Sequence, residues 1–235
     1  MKAWKKGTAA ALVLLIGGLF AGIPSAWATP QNFSFTGTFN QDDNVQLFQF
    51  TVGAGSNVVL RTWSYAGGTN AAGDNIARGG FDPILALFDS TGAYIDQNDD
   101  GGCGSVDPDA LTGECWDTYF DAALAPGDYT VAVMEYDNFA GSSLSDAFAR
   151  QGQGNFTKTA GWCDDDSAPN ATAFCDISGE VGGARDNHWA FDLLGVESAT
   201  QQPPPVGVPE PSELGLMGGG LLLIFWLSRR RWHRA

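Results

Sequence analysis

Basic residues and histidine are scarce in this chain. Of its 235 residues only 12 are lysine or arginine and two are histidine, against 27 that are acidic. Seven of the bases and two of the acids lie in the terminal segments 1–28 and 209–235, which leaves 25 acids and five bases between them, a formal charge of −20. Nucleic-acid binding needs a basic surface to neutralise phosphates. The composition therefore excludes a nucleic-acid partner and favours the binding of cations.

Signatures of catalysis are also missing. His188 is the single histidine of residues 29–208, and no serine or cysteine lies in a nucleophile motif such as G-x-S-x-G. Acidic residues are plentiful enough for a glycoside hydrolase, but abundance alone does not indicate a paired acid and base. We expect a protein that is not an enzyme, and a glycoside hydrolase is the least favoured alternative.

Long apolar runs are absent except at the two ends. At the amino end, three lysines precede an apolar run over 9–23, which Pro24 closes, and Ala26-Trp27-Ala28 follows. This order of basic, apolar and small residues is typical of a secretory signal peptide. We predict a signal peptide over 1–28 and a mature chain that starts at Thr29 after cleavage by signal peptidase. A permanent membrane helix is the disfavoured alternative because the run is short.

The carboxyl end carries a second short apolar stretch, 214–227. As a helix it would be about 21 Å long, against roughly 30 Å of bilayer hydrocarbon, which suits a temporary anchor. It is preceded by a Pro-Glu-Pro run and followed by an arginine cluster: Pro209, Glu210, Pro211, Arg229, Arg230 and Arg231. Because both ends of the chain are basic, both are expected to face the cytoplasm before processing, and the middle to be exported.

This arrangement resembles the PEP-CTERM sorting domain of bacteria. The resemblance implies recognition by an exosortase, transient anchoring in the inner membrane, and delivery to the cell surface or extracellular matrix, where such proteins are linked to exopolysaccharide and biofilm. An ordinary C-terminal tail anchor is the alternative.

Four cysteines lie in the part expected to be exported, where thiols tend to oxidise: Cys103, Cys115, Cys163 and Cys175. Three pairings are possible. The local pairing of Cys103 with Cys115 and of Cys163 with Cys175 is favoured because each pair is twelve residues apart within one polar loop. A zinc site is the competing interpretation, which the wide spacing and the single histidine disfavour.

Hydrophobic periodicity of two dominates residues 29–200. Alternation is visible at Phe33 and Phe35 and along 45–52, where one change of phase suggests a bulge. Further strands are predicted, separated by turns rich in Gly, Asp, Asn and Pro, over 58–65, 84–89, 93–96, 119–122, 128–136 and 188–196. We predict an all-β fold, an antiparallel sandwich of about eight strands, with a short transmembrane sorting helix at the C-terminus.

A second resemblance rests on three stretches. They read FDPILALFD over 81–89, NDDGG over 98–102 and LAPGDYTVAV over 124–133. Together they resemble the bacterial pre-peptidase C-terminal domain, a match that covers about 42–136. The resemblance implies a small jelly-roll-like sandwich that often binds calcium.

Residues 137–186 depart from that family. This excursion is rich in Gly, Ser, Asp and Asn, and uncommonly long for a loop of a compact domain. Its aromatic residues Phe156, Trp162 and Phe174 could stack on sugars in a carbohydrate-binding module, or could fix the loop to the sandwich. The second interpretation is favoured.

The segment 96–101 reads D-x-N-x-D-G and is followed by Asp107. This spacing is typical of a calcium loop, in which alternate oxygens converge and the glycine permits a sharp turn. We predict a calcium site formed by Asp96, Asn98, Asp100 and Asp107. Asp82, Asp89 or Asp117 would complete the shell, whereas the 164–166 aspartate triplet is a poorer candidate. A plain turn with Asp and Asn side chains capping main-chain amides is the alternative.

The predicted organisation has four parts: a signal peptide over 1–28, a β-sandwich over 29–200 with its excursion at 137–186, a Pro-rich linker over 201–208 and a sorting segment over 209–235. We expect a noncatalytic surface or matrix protein stabilised by calcium. A carbohydrate-binding module that acts on exopolysaccharide is the alternative.

Overall fold

The computed structural model describes residues 29–53, 55–164, 170–177 and 185–203. The predicted signal peptide and sorting segment lie outside these residues. Within the described part, no helix has the length and hydropathy that a membrane crossing requires.

Eleven strands form three antiparallel sheets in the described residues. They are β1 (Gln31–Thr38), β2 (Val45–Val52), β3 (Ser56–Thr62), β4 (Gly68–Thr69), β5 (Asn75–Ile76), β6 (Pro83–Asp89), β7 (Tyr94–Asn98), β8 (Tyr119–Leu124), β9 (Gly127–Glu135), β10 (His188–Val196) and β11 (Ser198–Gln201). One sheet has the order β1-β10-β3-β8 and the second has the order β11-β2-β9-β6-β7, while β4 and β5 form a small hairpin. The prediction of an all-β sandwich is confirmed.

The main core lies between the two larger sheets. Its residues alternate along each strand, as a half-buried pleated strand requires. The four-stranded sheet contributes Leu60, Phe191 and their neighbours, and the five-stranded sheet contributes Phe48, Leu87 and theirs. The rings of Phe48 and Phe191 lie 5.1 Å apart between centroids, so the two inner faces are in direct contact.

Strands β6 and β9 are buried on both faces. Leu85 and Val133 point into the main core, whereas their neighbours Ala86 and Ala132 belong to a second apolar cluster on the outer face of the five-stranded sheet. Residues of the excursion that cover this outer face include Phe139, Leu144 and Phe148. The excursion therefore supplies a third layer over part of the sandwich.

This third layer explains the change of phase along β2, where we expected a bulge. The strand pairs with β9 without a register shift from Val45 to Val52. Val45 and Leu47 pack against the second cluster, whereas Phe48 and Phe50 face the main core. The prediction of a bulge is wrong, because both faces of β2 meet apolar residues.

The two predicted disulfides are present. Cys103 is bonded to Cys115 and Cys163 to Cys175. The second bridge lies close to a short helix α1 (Phe156–Thr159) and a single 3-10 turn (Trp162–Asp164). The prediction of local pairing is confirmed.

Candidate metal centre

Strands β6, β7 and β9 of the five-stranded sheet have neighbouring termini at one end of the sheet, and each of these termini carries an acid. Asp82 directly precedes β6, Asp99 directly follows β7, and Glu135 is the last residue of β9. Because β6 runs antiparallel to both β7 and β9, its beginning lies beside their ends, and Pro83 is paired with Glu135. The topology thus gathers acids that are distant in sequence.

Asp82, Asp99 and Asp100 form the candidate site. One carboxylate oxygen from each lies within 4.8 Å of the other two. Asp82 is only 9% exposed, Asp99 is half-buried and Asp100 faces solvent. Such a set, with hard oxygen atoms on a partly open rim, matches what Ca²⁺ prefers in proteins.

Two oxygen atoms of this cluster are buried without a hydrogen-bond partner. They are Oδ1 of Asp82 and Oδ1 of Asp99, and a third such atom, Oε2, belongs to the nearby Glu135. Glu135 is 3% exposed. A buried polar atom without a partner costs about 1 to 3 kcal/mol, and more when it is charged. The fold therefore bears a cost here that a bound cation would offset.

Electrostatics agree with that conclusion. Burial, together with the charges of Asp100 and Asp99, raises the pKa of Asp82 well above its ordinary value. Burial and the charge of Asp100 raise the pKa of Asp99 to about 6, and burial and the charge of Glu114 raise the pKa of Asp100 to about 6. Burial and the charges of Asp42 and Asp82 raise the pKa of Glu135 well above its ordinary value. Carboxylates that destabilise one another in this way favour a proton or a cation between them.

Thr118, in the segment that leads into β8, connects these strand ends to the four-stranded sheet. Its fully buried hydroxyl lies 2.8 Å from the main-chain oxygen of Asp99 and 2.5 Å from that of Pro83. The hydroxyl has one proton and can donate it to only one of them. One residue next to the opposite sheet thus contacts the main chain of Asp99 and of Pro83, the residue that follows Asp82.

The glycine that follows Asp100 is required by close packing. A Cβ atom on Gly101 would lie 2.8 Å from the main-chain nitrogen and the Cβ atom of Tyr119. The N–H of Gly101 donates a 3.0 Å hydrogen bond to the main-chain oxygen of Asp117. The turn therefore passes tightly against the start of β8, which fixes the direction of the Asp99-Asp100 pair.

Of the four ligands predicted from the 96–107 pattern, Asp100 lies in the cluster, and Asp96 and Asp107 are not among its acids. Asp96 accepts a 2.9 Å hydrogen bond from the N–H of Gln97, and the carboxylate of Asp107 is 75% exposed and 3.7 Å from Arg61. Oδ1 of Asn98 accepts a 3.3 Å hydrogen bond from the N–H of Tyr119. Residues 97 and 98 continue strand β7, which carries Asp96 away from the turn.

The three acids that we expected to complete the shell have different positions. Asp82 lies in the cluster. Asp89 caps its own turn, where its Oδ1 accepts hydrogen bonds from the N–H groups of Thr91 and Ala93. Asp117 is buried and accepts hydrogen bonds from the N–H groups of Tyr65 and Ala66. The 164–166 triplet lies outside the described residues, except for the main chain at 164.

The aromatic residues considered for sugar binding pack within the protein. Phe156 is 2% exposed and Phe174 is 6% exposed. Trp162 is half-buried, and its ring lies 5.9 Å from that of Phe156 and 6.0 Å from that of Tyr136. The interpretation in which these aromatics fix the excursion to the sandwich fits this packing.

A buried ion cluster, which includes the residue after Cys175, was not expected from the sequence. Arg185 donates a 2.9 Å hydrogen bond from Nε to Asp176, and its Nη1 lies 3.6 Å from Asp109. Its guanidinium stacks 3.5 Å above the ring of Tyr65, and Arg78 forms a second pair with Asp109. Asp109 lies far in sequence from both arginines, so no local sequence signal identifies the cluster as a whole.

No protein-family model matches the chain, and no curated protein is significantly similar to it.

Proposed function

We propose that this protein is a noncatalytic, exported surface or matrix protein whose sandwich binds calcium through Asp82, Asp99 and Asp100. The observation that carries the calcium site is the pair of buried, unpartnered oxygens on Asp82 and Asp99, which point to a cluster that Asp100 completes. The ligand set differs from the 96–107 pattern because the ends of β6 and β7, and not one continuous loop, supply it.

The donor chemistry selects a hard cation. All the acids of the cluster bind through carboxylate oxygen, and all four cysteines of the chain are engaged in disulfides. Thiolate ligands, which zinc prefers, are therefore not offered, and no histidine belongs to the cluster. Three carboxylates with an open side also suit calcium better than the strict octahedron of magnesium.

An exported location supports the calcium assignment. Disulfides persist in oxidising compartments, where calcium is also abundant enough for sites of low affinity. The signal-peptide pattern at 1–28 and the Pro209-Glu210-Pro211 run before a short apolar stretch favour sorting by an exosortase-type system. In this proposal the jelly-roll-like body is released from the inner membrane and serves in the exopolysaccharide matrix.

Calcium binding by the full-length chain, purified in a mild non-ionic detergent and freed of cations with a chelator, tests the site. We expect calorimetry to detect a site of micromolar to millimolar affinity, and calcium to raise the melting temperature. Asp82→Asn and Asp100→Asn should each weaken binding at least tenfold.

Asp96→Asn and Asp107→Asn are the matched controls, because they alter the same sequence pattern but lie outside the cluster. Both controls should bind as the wild type does. Binding lost in the controls and kept in Asp82→Asn would return the site to the 96–107 loop. A wild-type chain without heat of binding at millimolar calcium would contradict the proposal.

Sorting is tested separately in cells. Replacement of Pro209, Glu210 and Pro211 by alanine should hold the protein in the inner-membrane fraction, whereas the wild type should be found at the surface or in the matrix. Equal distributions of the two proteins would contradict exosortase-type sorting and leave the calcium result unaffected.

A further inference from the structure

Strand β1 forms an open edge of the four-stranded sheet. It pairs with β10 on one side only. Its eight residues, QNFSFTGT, include no charged residue and no proline. Charges, prolines and bulges are the usual means by which an exposed edge avoids pairing with another chain. The edge of β1 lacks the first two, and its single irregularity lies at its first residue, between Gln31 and Asn32.

The register identifies the groups on this open edge. The main-chain oxygen of Ala190 accepts a 3.0 Å hydrogen bond from the N–H of Trp63, so Ala190 faces β3 and the next residue, Phe191, faces β1. Phe191 is paired with Phe35, which therefore faces β10. By alternation, the N–H and C=O groups of Ser34, Thr36 and Thr38 point away from the sheet.

In the part of the chain that the structure describes, no main-chain hydrogen bond closes this edge. By contrast, main-chain hydrogen bonds join the excursion to the edge of β7 on the other sheet. There the N–H of Tyr94 donates to Ser142 at 3.1 Å, and the N–H of Leu144 donates to Gly92 at 2.7 Å. Among the described residues, the excursion covers the edge of β7 and makes no main-chain hydrogen bond to the edge of β1.

The distribution of charge over the chain indicates which partner this edge binds. Residues 29–208 carry a formal charge of −20, so two copies repel each other over most of their surface. Both β1 and the edge strand β11 carry no charge, and β1 is the longer of the two, with eight residues against four. Two copies therefore meet at β1 at a low electrostatic cost. An open strand edge is also self-complementary. Its main-chain N–H donors and C=O acceptors have the same spacing in both copies, so each donor of one copy can meet an acceptor of the other.

We propose that β1 pairs with β1 of a second copy of this chain, antiparallel and about a two-fold axis at Thr36. Thr36 then lies opposite Thr36 of the other copy, and Ser34 lies opposite Thr38. All these residues have outward-pointing groups, so about six main-chain hydrogen bonds form. The two four-stranded sheets become one continuous sheet of eight strands across an isologous dimer.

Sedimentation of the full-length chain in non-ionic detergent tests the dimer. We expect a dimer for the wild type and a monomer for Thr36→Pro, which removes a central donor without removing a bond to β10. Thr36→Asp provides a second variant, because it places two like charges opposite each other at the axis. Both variants should keep the wild-type melting temperature within about 3 °C at a concentration where the wild type is monomeric.

Gln201 on β11 provides the matched controls Gln201→Pro and Gln201→Asp. Since the N–H of Gln202 donates to the main-chain oxygen of Leu47 on β2, the N–H of the preceding residue, Gln201, points away from β2 by alternation. Gln201 thus occupies the corresponding place on the edge of the other sheet, and both controls should remain dimeric.

A cysteine at the axis gives an independent measurement. All four native cysteines are in disulfides, so Thr36→Cys adds the single free thiol. Mild oxidation should convert most of this variant into a disulfide-linked dimer, and Gln201→Cys should stay monomeric on a non-reducing gel. A monomeric wild type, a dimer that survives both Thr36 variants, or equal cross-linking at the two positions would overturn the proposal.

Discussion

The main-chain N–H of Thr157 donates a 2.9 Å hydrogen bond to Oδ2 of Asp42, a fully buried residue 115 positions earlier in the chain. The other carboxylate oxygen of Asp42 accepts a 3.1 Å hydrogen bond from the N–H of Phe174. One side chain therefore holds two parts of the excursion, on either side of Cys163, against the sandwich.

Asp42→Ala should lower the free energy of unfolding by about 3 kcal/mol. The substitution leaves the N–H groups of Thr157 and Phe174 buried without an acceptor, and each such group costs about 1 to 3 kcal/mol. Chemical denaturation measures the change. Asp74→Ala, at an exposed hairpin position, should differ from the wild type by less than about 0.5 kcal/mol. Equal effects of the two variants would show that Asp42 does not hold the excursion.

Removal of the bridge in the excursion by Cys163→Ser together with Cys175→Ser should cost about 3 kcal/mol. The bridge closes a loop with a sequence separation of 12, and closure of such a loop restricts the unfolded chain by about that amount. Denaturation under non-reducing conditions measures the loss. Peptide mapping of the wild type by mass spectrometry should recover 103 linked to 115 and 163 linked to 175, and any crossed peptide would contradict this pairing.

Without calcium, the protein should become less stable as the pH rises from about 4 to 7. Burial raises the pKa of Asp99 and of Asp100 to about 6 in the folded state, from an ordinary value of 3.8. In this window the folded chain binds more protons than the unfolded chain, so the free energy of unfolding falls with pH.

Melting temperatures in chelator between pH 4.5 and 7.5 measure this decline. Saturating calcium holds the carboxylates ionised and should remove most of it, since protons no longer need to stabilise the cluster. In the Asp82→Asn variant, calcium should change the pH profile little. A melting temperature in chelator that rises steadily over this range would contradict the assignment of the raised pKa values.

Phe156→Ala should destabilise the protein by about 3 to 5 kcal/mol, because the ring is 2% exposed and its loss leaves a cavity. Leu111→Ala, at a side chain that is 59% exposed, is the control and should have little effect. Retention of the folded protein on exopolysaccharide should not depend on Phe156. Lost retention with an unchanged melting temperature would instead indicate a sugar-binding role.

Strand periodicity predicted most of the sandwich, and its failures have physical causes. The pattern over 188–196 matches β10 in both bounds, because this strand has one apolar face and clear turn signals before it. Strand β11 was missed, since Ser198–Gln201 is short and has no apolar alternation of its own. It forms because β2 offers it an edge, which is information that the local sequence does not contain.

The candidate site was predictable only in part for a similar reason. The aspartates and glycines after β7 indicated a cation-binding turn, and Asp100 lies in the cluster. A pattern within one segment assigns all its ligands to that segment, however. Asp82 lies 18 residues before Asp100 in the sequence, and Glu135 lies 35 residues after it. Their approach depends on the pairing of β6 with β7 and β9, which only the fold determines.

The layer formed by residues 136–148 over the outer face of the five-stranded sheet also affects solubility. Beneath it lie Ile84, Phe88 and Met134, each with no exposed surface. A chain shortened within this layer would present these side chains as a continuous apolar patch on a flat sheet, a surface that promotes aggregation. The glycine-rich and serine-rich sequence of the excursion resembles a dispensable loop. Its removal should nevertheless yield protein that precipitates before ligand binding can be measured.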